Sequence, residues 1–122
     1  MFAGFYIFLS EQAGTILKIM AFDGTEGDEI ELVTAAAWTK NYRGEHPDET
    51  KGHFFGKTLI NDILNQSGCM GIRMYYAIDD DGNKQLVLAG ANTYEDDMHT
   101  GVLGDASMPC PTYCGRRNSL NS

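Results

Sequence analysis

From Gly68 to Gly90 the chain reads GCMGIRMYYAIDDDGNKQLVLAG, and no other stretch limits the fold so tightly. Met70, Ile72, Met74, Tyr76 and Ile78 alternate with Cys69, Gly71, Arg73, Tyr75 and Ala77. This is the period of two expected of a strand with one buried face. A second β-prone arm follows from Gln85 to Gly90, so the segment predicts a β-hairpin. Loop length then decides which residues oppose each other. A two-residue Asp81-Gly82 turn sets Tyr76 opposite Val87. A three-residue Asp80-Asp81-Gly82 loop, with Gly82 left-handed, opposes Tyr76 to Leu86 and Met74 to Leu88. The second register gathers the larger apolar groups on one face, and a one-residue slip would turn an arm over. The three-residue loop is therefore expected, with that face lying beneath a helical lid.

The rest of the chain predicts an α+β class, with two N-terminal helices packed on a small antiparallel sheet centred on this hairpin. From Leu32 to Arg43, LVTAAAWTKNYR places Leu32, Ala35 or Ala36, Thr39 and Tyr42 on one helical stripe, with Gly44 as the residue after the C-cap. Pro47 suits the first position of a second helix, with Asp48 and Glu49 in its first turn. Phe55, Leu59, Ile63 and Gln66 then recur at helical spacing, while Gly52 and Gly56 each weaken that helix by about 1 kcal/mol. Beyond Gly90, residues 91–97 read as an acidic turn, and Met98 to Leu103 as a short further strand. Residues 107–122 read as an irregular tail, because Pro109 and Pro111 oppose regular structure.

At 122 residues the chain has the length of one domain, 1–122, and can bury a core without disulfides. No repeat or linker divides it. The first 22 residues hold two short apolar runs, Phe2 to Leu9 and Ile16 to Phe22, open to two readings. They form a hairpin added to the sheet, or residues 1–19 are an extension upstream of a start at Met20. The run Met1 to Leu9 is too short to span a bilayer and lacks the basic flank of a secretory signal.

A formal charge of −8 makes the average surface repel phosphate backbones and anionic lipid. Arg116-Arg117 is too small a basic patch to reverse that, so no nucleic-acid partner is expected. Three cysteines exclude a complete intramolecular framework of disulfides, and a reducing compartment is the simpler reading. A cytoplasmic protein is expected, with export by a route lacking a cleaved signal left open.

The pieces AAAWTKNYR, FFGKTLINDILNQ, GCMGIRMYYAIDDDGNKQLVLAG and PCPTYC resemble those of a family of small uncharacterised bacterial proteins. The resemblance runs from about Met20 onward. It brings no activity with it and no catalytic or binding residue.

Side chains that could carry chemistry are sparse. Cys110 and Cys114 are spaced C-x3-C, and with Cys69 and an imidazole from His53 or His99 they would complete a tetrahedral zinc site. Free cysteines acting as small apolar groups, with a local Cys110–Cys114 bond, are the simpler reading. Asp79-Asp80-Asp81-Gly82-Asn83 offers oxygen ligands but lacks the acidic twelfth position of a calcium loop, which here is Gly90. Glu45, Asp48 and His53, or Asp96, Asp97 and His99, lie close in sequence with no nucleophile motif to assemble them. Gly52 is one position too close to Gly56-Lys57-Thr58 for a phosphate loop.

Trp38, Tyr42, Tyr75, Tyr76, Tyr94 and Tyr113 are many amphipathic rings for so small a chain, and such rings anchor partner surfaces. Tyr75 and Arg73 share the hairpin face opposite the proposed core. The expected function is therefore a non-enzymatic protein-interaction or self-assembly module, with Arg73, Tyr75 and Trp38 as contact residues and no cofactor. The alternative is a thiol or zinc-binding protein using Cys69, Cys110 and Cys114.

Overall fold

The computed structural model describes residues 6–10, 15–18 and 21–122, the first two ranges through their backbone alone. In chain order the elements are β1 (Tyr6–Ser10), β2 (Thr15–Lys18), α1 (Leu32–Glu45), β3 (Gly52–Phe54) and α2 (Lys57–Leu64). They continue with β4 (Cys69–Ile78), β5 (Lys84–Asn92), β6 (Leu103–Gly104) and β7 (Met108–Cys110). Helices and antiparallel sheets make this a mixed α+β chain. β1 and β2 pair antiparallel as a two-stranded sheet of their own, Tyr6 opposite Lys18, and are not added to the hairpin sheet. Two strands therefore precede the helices, and the expectation of N-terminal helices is corrected to helices from Leu32 onward.

The hairpin turn has the expected form. Asp79 N–H donates to the Asn83 carbonyl at 2.9 Å, and Gly82 N–H donates to the Asp79 carbonyl at 3.0 Å. Gly82 lies at φ +84°, a conformation that costs glycine nothing. The Asp79 carboxylate also accepts the N–H groups of Asp81 and Asn83, which closes the loop a second time. Counting back from the 79–83 pair opposes Tyr76 to Leu86. The face is covered at Leu88, which is buried, but the expected lid does not reach the turn: Tyr76 is 95% exposed and Ile78 72%.

The second helix is less than half the expected length. Pro47 to Glu49 form a turn, and Gly52–Phe54 is a strand paired with β7, His53 opposite Pro109. Gly52, which would weaken a helix, is harmless in this short ribbon, and pairing with β7 supplies backbone bonds that an irregular tail would leave unmade. Lys51 N–H adds one more, to the Cys110 carbonyl at 2.6 Å. The tail is thus partly ordered as a strand, despite its prolines.

The chain forms two compact units. The first takes the chain up to Glu26, Lys57–Tyr75 and Val87–Asp105. Its described core is Ala21, Ile63, Leu88, Ala89 and Ala91, all buried. On α2, Leu59, Ile60 and Ile63 face inward at helical spacing, and full burial of Ile63 is worth about 1.5–3 kcal/mol. Gly104 allows close approach there, since a Cβ at that position would meet Leu59 Cδ2 at 2.7 Å. Gln66 ends the helix by donating to the Ile63 carbonyl and accepting the Val102 N–H at 2.8 Å. Residues 21 and 22 are tied in by N–H bonds to the Thr93 carbonyl, and the Thr93 hydroxyl donates back to the Phe22 carbonyl.

The second unit is Gly27–Gly56, Tyr76–Leu86 and Ala106–Ser122. It holds α1, the β3–β7 ribbon, the hairpin turn and the C-terminal segment. Polar and covalent links organise it. Arg43 donates to the carbonyls of Leu120 and Ser122, both at 2.7 Å, Lys51 donates to that of Asn121, and Cys110 is bonded to Cys114. Among the described residues, its one buried member is Ser107.

Candidate functional site

α1 is turned inside out relative to an ordinary surface helix. Its half-buried positions are small or polar: Thr34, Ala35, Ala36, Thr39, Arg43. The Thr39 hydroxyl is bonded to the helix's own Ala35 carbonyl at 3.0 Å. Leu32, Val33 and Trp38 are exposed, Trp38 by 64%. The stripe of Leu32, Ala35 or Ala36, Thr39 and Tyr42 therefore does not form a buried face. Only its small members turn inward, and no residue of α1 is fully buried.

Trp38, Tyr42 and His46 follow one another at spacings of four, which stacks them along one flank of the helix. The helix runs past Gly44, and His46 caps it by bonding its N–H to the Tyr42 carbonyl at 2.8 Å. The Tyr42 and His46 rings stack with centroids 4.6 Å apart. His46 Nδ1 donates to Glu49 at 2.6 Å, and Glu49 also pairs with Lys84. The Lys84 ammonium first, and then His46, hold the Glu49 carboxyl below its usual range, while Glu49 raises Lys84.

This aromatic row ends in a cleft of about 940 Å³ within the second unit. Tyr42 and His46 form one side, Tyr76, Ile78 and Leu86 of the hairpin line it too, and Lys51, His53 and Gln85 supply polar groups. Its size and mostly apolar walls are those of a binding pocket. His53 Nδ1 lies 2.7 Å from the Ser107 hydroxyl, the spacing of a nucleophile and its base. Ser107 is 8% exposed and is not part of the cleft lining. The bond therefore satisfies a buried hydroxyl rather than presenting a nucleophile to a substrate.

Arg73 and Tyr75 share a face, as their alternation predicts, and both converge on Asp97. Arg73 Nη1 reaches Asp97 Oδ1 at 2.6 Å and the Glu95 carbonyl at 3.2 Å, and the Tyr75 hydroxyl donates to Asp97 Oδ2. The guanidinium also lies 5.5 Å from the Phe22 ring centroid, a cation–π distance. The Tyr75 hydroxyl first, and then Arg73, lower the Asp97 pKa, and Asp97 raises those of Tyr75 and Arg73. Two of the three expected contact residues are thus engaged within the first unit. Trp38, in the second, is open.

The thiols are divided. Cys110 and Cys114 are spent on each other, and Cys69 donates weakly to the Gly71 carbonyl at 3.2 Å. Zinc at these residues would require reduction of that bond. Among the described residues no three His, Cys, Asp or Glu side chains are grouped to hold a metal ion. No helix of the described residues is long and apolar enough to cross a membrane.

The sequence reading missed His46 and Lys51, and it placed Tyr76 on the hairpin's core face. The signal available was the repeat of aromatic residues at 38, 42 and 46. Comparison with family models, curated proteins and solved structures finds no match.

Proposed function

We propose that the protein is a non-enzymatic interaction module that assembles with copies of itself through its second unit. One observation carries this reading: among the described residues of that unit, no apolar side chain is fully buried. Leu32, Val33, Trp38, Phe54, Tyr76 and Ile78 all stand open. A folded domain normally places such groups in its core, and several large apolar side chains left open in one unit support an interaction role. Arg73 and Tyr75, bound to Asp97, brace the sheet that carries the hairpin, and Trp38 takes the contact role. The odd cysteine count favours a cytoplasmic location. The Cys110–Cys114 bond opposes it, since such bonds persist in oxidising compartments.

The test is molar mass by light scattering across a range of concentrations. A mass above the 13.4 kDa of one chain at tens of micromolar is expected. A strict monomer at those concentrations overturns the reading.

A further inference from the structure

We infer that the cleft of the second unit binds a small aromatic carboxylate, with the anionic group held by the Lys51 ammonium and the rings laid against Tyr42, Tyr76 and Leu86. The inference does not depend on self-assembly. Charge selects the class of ligand. The chain carries a formal charge of −8, yet no Asp or Glu is found among the described residues that line the cleft, while Lys51, Lys84, His46 and His53 all line it. Glu49 pairs with Lys84 and His46 and so matches those two. Lys51 makes no ion pair among the described residues. A cation left without a carboxylate, set in a cleft free of acidic side chains, draws an anion to that cleft.

The Lys51 ammonium is held in place. Its Nζ donates to the Asn121 carbonyl at 2.9 Å, and Arg43 holds the adjoining carbonyls of Leu120 and Ser122. An ammonium has three donors, so two remain for a ligand oxygen. His53 adds a second polar group: Ser107 takes its Nδ1, and its Nε2 is not buried and has no hydrogen-bond partner among the described residues. One point charge and one ring nitrogen suit a carboxylate. Phosphate is more often held by arginine forks or by a helix N-terminus, and the described lining contains neither. The walls set the rest of the ligand. Tyr42, Tyr76 and Ile78 are exposed, so an apolar body placed between them removes from water a surface that the chain itself leaves open. The Tyr42–His46 stack makes one wall aromatic, which favours a flat ring system. A volume of about 940 Å³ lies at the upper end for small-molecule pockets and has room for fused rings.

Titration calorimetry of the full chain at neutral pH tests this, with naphthoate as the probe and the neutral naphthamide as its match. Naphthoate is expected to bind one per chain, about tenfold or more tighter than naphthamide, the ratio that one charge-assisted contact supplies. Lys51→Met is expected to erase that preference and Lys51→Arg to keep most of it. Lys40→Met, on α1 but outside the cleft lining, is expected to leave it unchanged. Tyr76→Ala removes an exposed wall and is expected to weaken both probes alike. No binding of naphthoate up to about 1 mM, equal affinity for the two probes, or a loss in Lys40→Met as large as in Lys51→Met overturns the site. Should Lys51→Met fail to fold, Tyr76→Ala decides: naphthoate binding unchanged in that variant puts the probe elsewhere and overturns the inference.

Discussion

Tyr42 stacks on His46 one helical turn away, ring centroids 4.6 Å apart and planes 25° from parallel. The pair joins an exposed tryptophan to a cleft, and it belongs to a helix whose large side chains face water. If Trp38 works between chains rather than within one, its removal should separate stability from assembly. Trp38→Ala is expected to change the unfolding free energy of the dilute chain by no more than about 0.5 kcal/mol, as an exposed site does. The same variant is expected to lower the molar mass measured at high concentration. Denaturant titration and light scattering on one preparation check both.

The location of the core can be tested in the same way. Ile63 is 0% exposed, and Ile63→Ala is expected to cost about 2–5 kcal/mol by denaturant unfolding. Val33→Ala, at an open position of α1, is expected to fall within about 0.5 kcal/mol. Equal losses at the two sites would mean that α1 contributes a core after all.

Arg73, Tyr75 and Asp97 make an acid-sensitive clasp. Asp97 is held below its ordinary value of 3.8, first by the Tyr75 hydroxyl and then by Arg73. A carboxylate with a depressed folded-state pKa contributes stability above its unfolded value, and that stability is lost as pH falls through the folded value. Stability at this site is therefore expected to be full at neutral pH and to decline once pH drops below about 3.8. Asp97→Asn should flatten that acid limb in a series of denaturant titrations. An unchanged limb would remove the clasp from the account.

The cysteines allow a stoichiometric check. Oxidised protein, unfolded in denaturant, is expected to titrate one thiol per chain, Cys69, and three after reduction. Three thiols before reduction, in protein purified without reductant, would show that the Cys110–Cys114 bond does not form.

What could be read from residues alone was local. The alternation from Cys69 to Ile78 and the glycine of the Asp80-Asp81-Gly82 loop act over a few residues, and the hairpin follows from them. The alanines at 35–37 likewise favour a helix wherever the chain goes next. The second helix failed for a nonlocal reason: His53 pairs with Pro109, more than fifty residues away, and no local propensity carries that bond. The Arg73 and Tyr75 face was legible from alternation, but Asp97, which binds both, comes from a loop beyond the next strand. The lid was inferred from the rule that apolar faces are covered. Tyr76 and Ile78 break that rule, and a broken rule of this kind points toward function.

Amide hydrogen exchange resolved along the chain, in dilute and in concentrated protein, tests the account most directly. α1 amides are expected to exchange quickly when dilute and to gain protection with concentration, while α2, packed through Ile63, stays protected in both. An α1 as protected as α2 in dilute protein, with no change on concentrating, would show that the second unit is complete by itself and contradict the central claim.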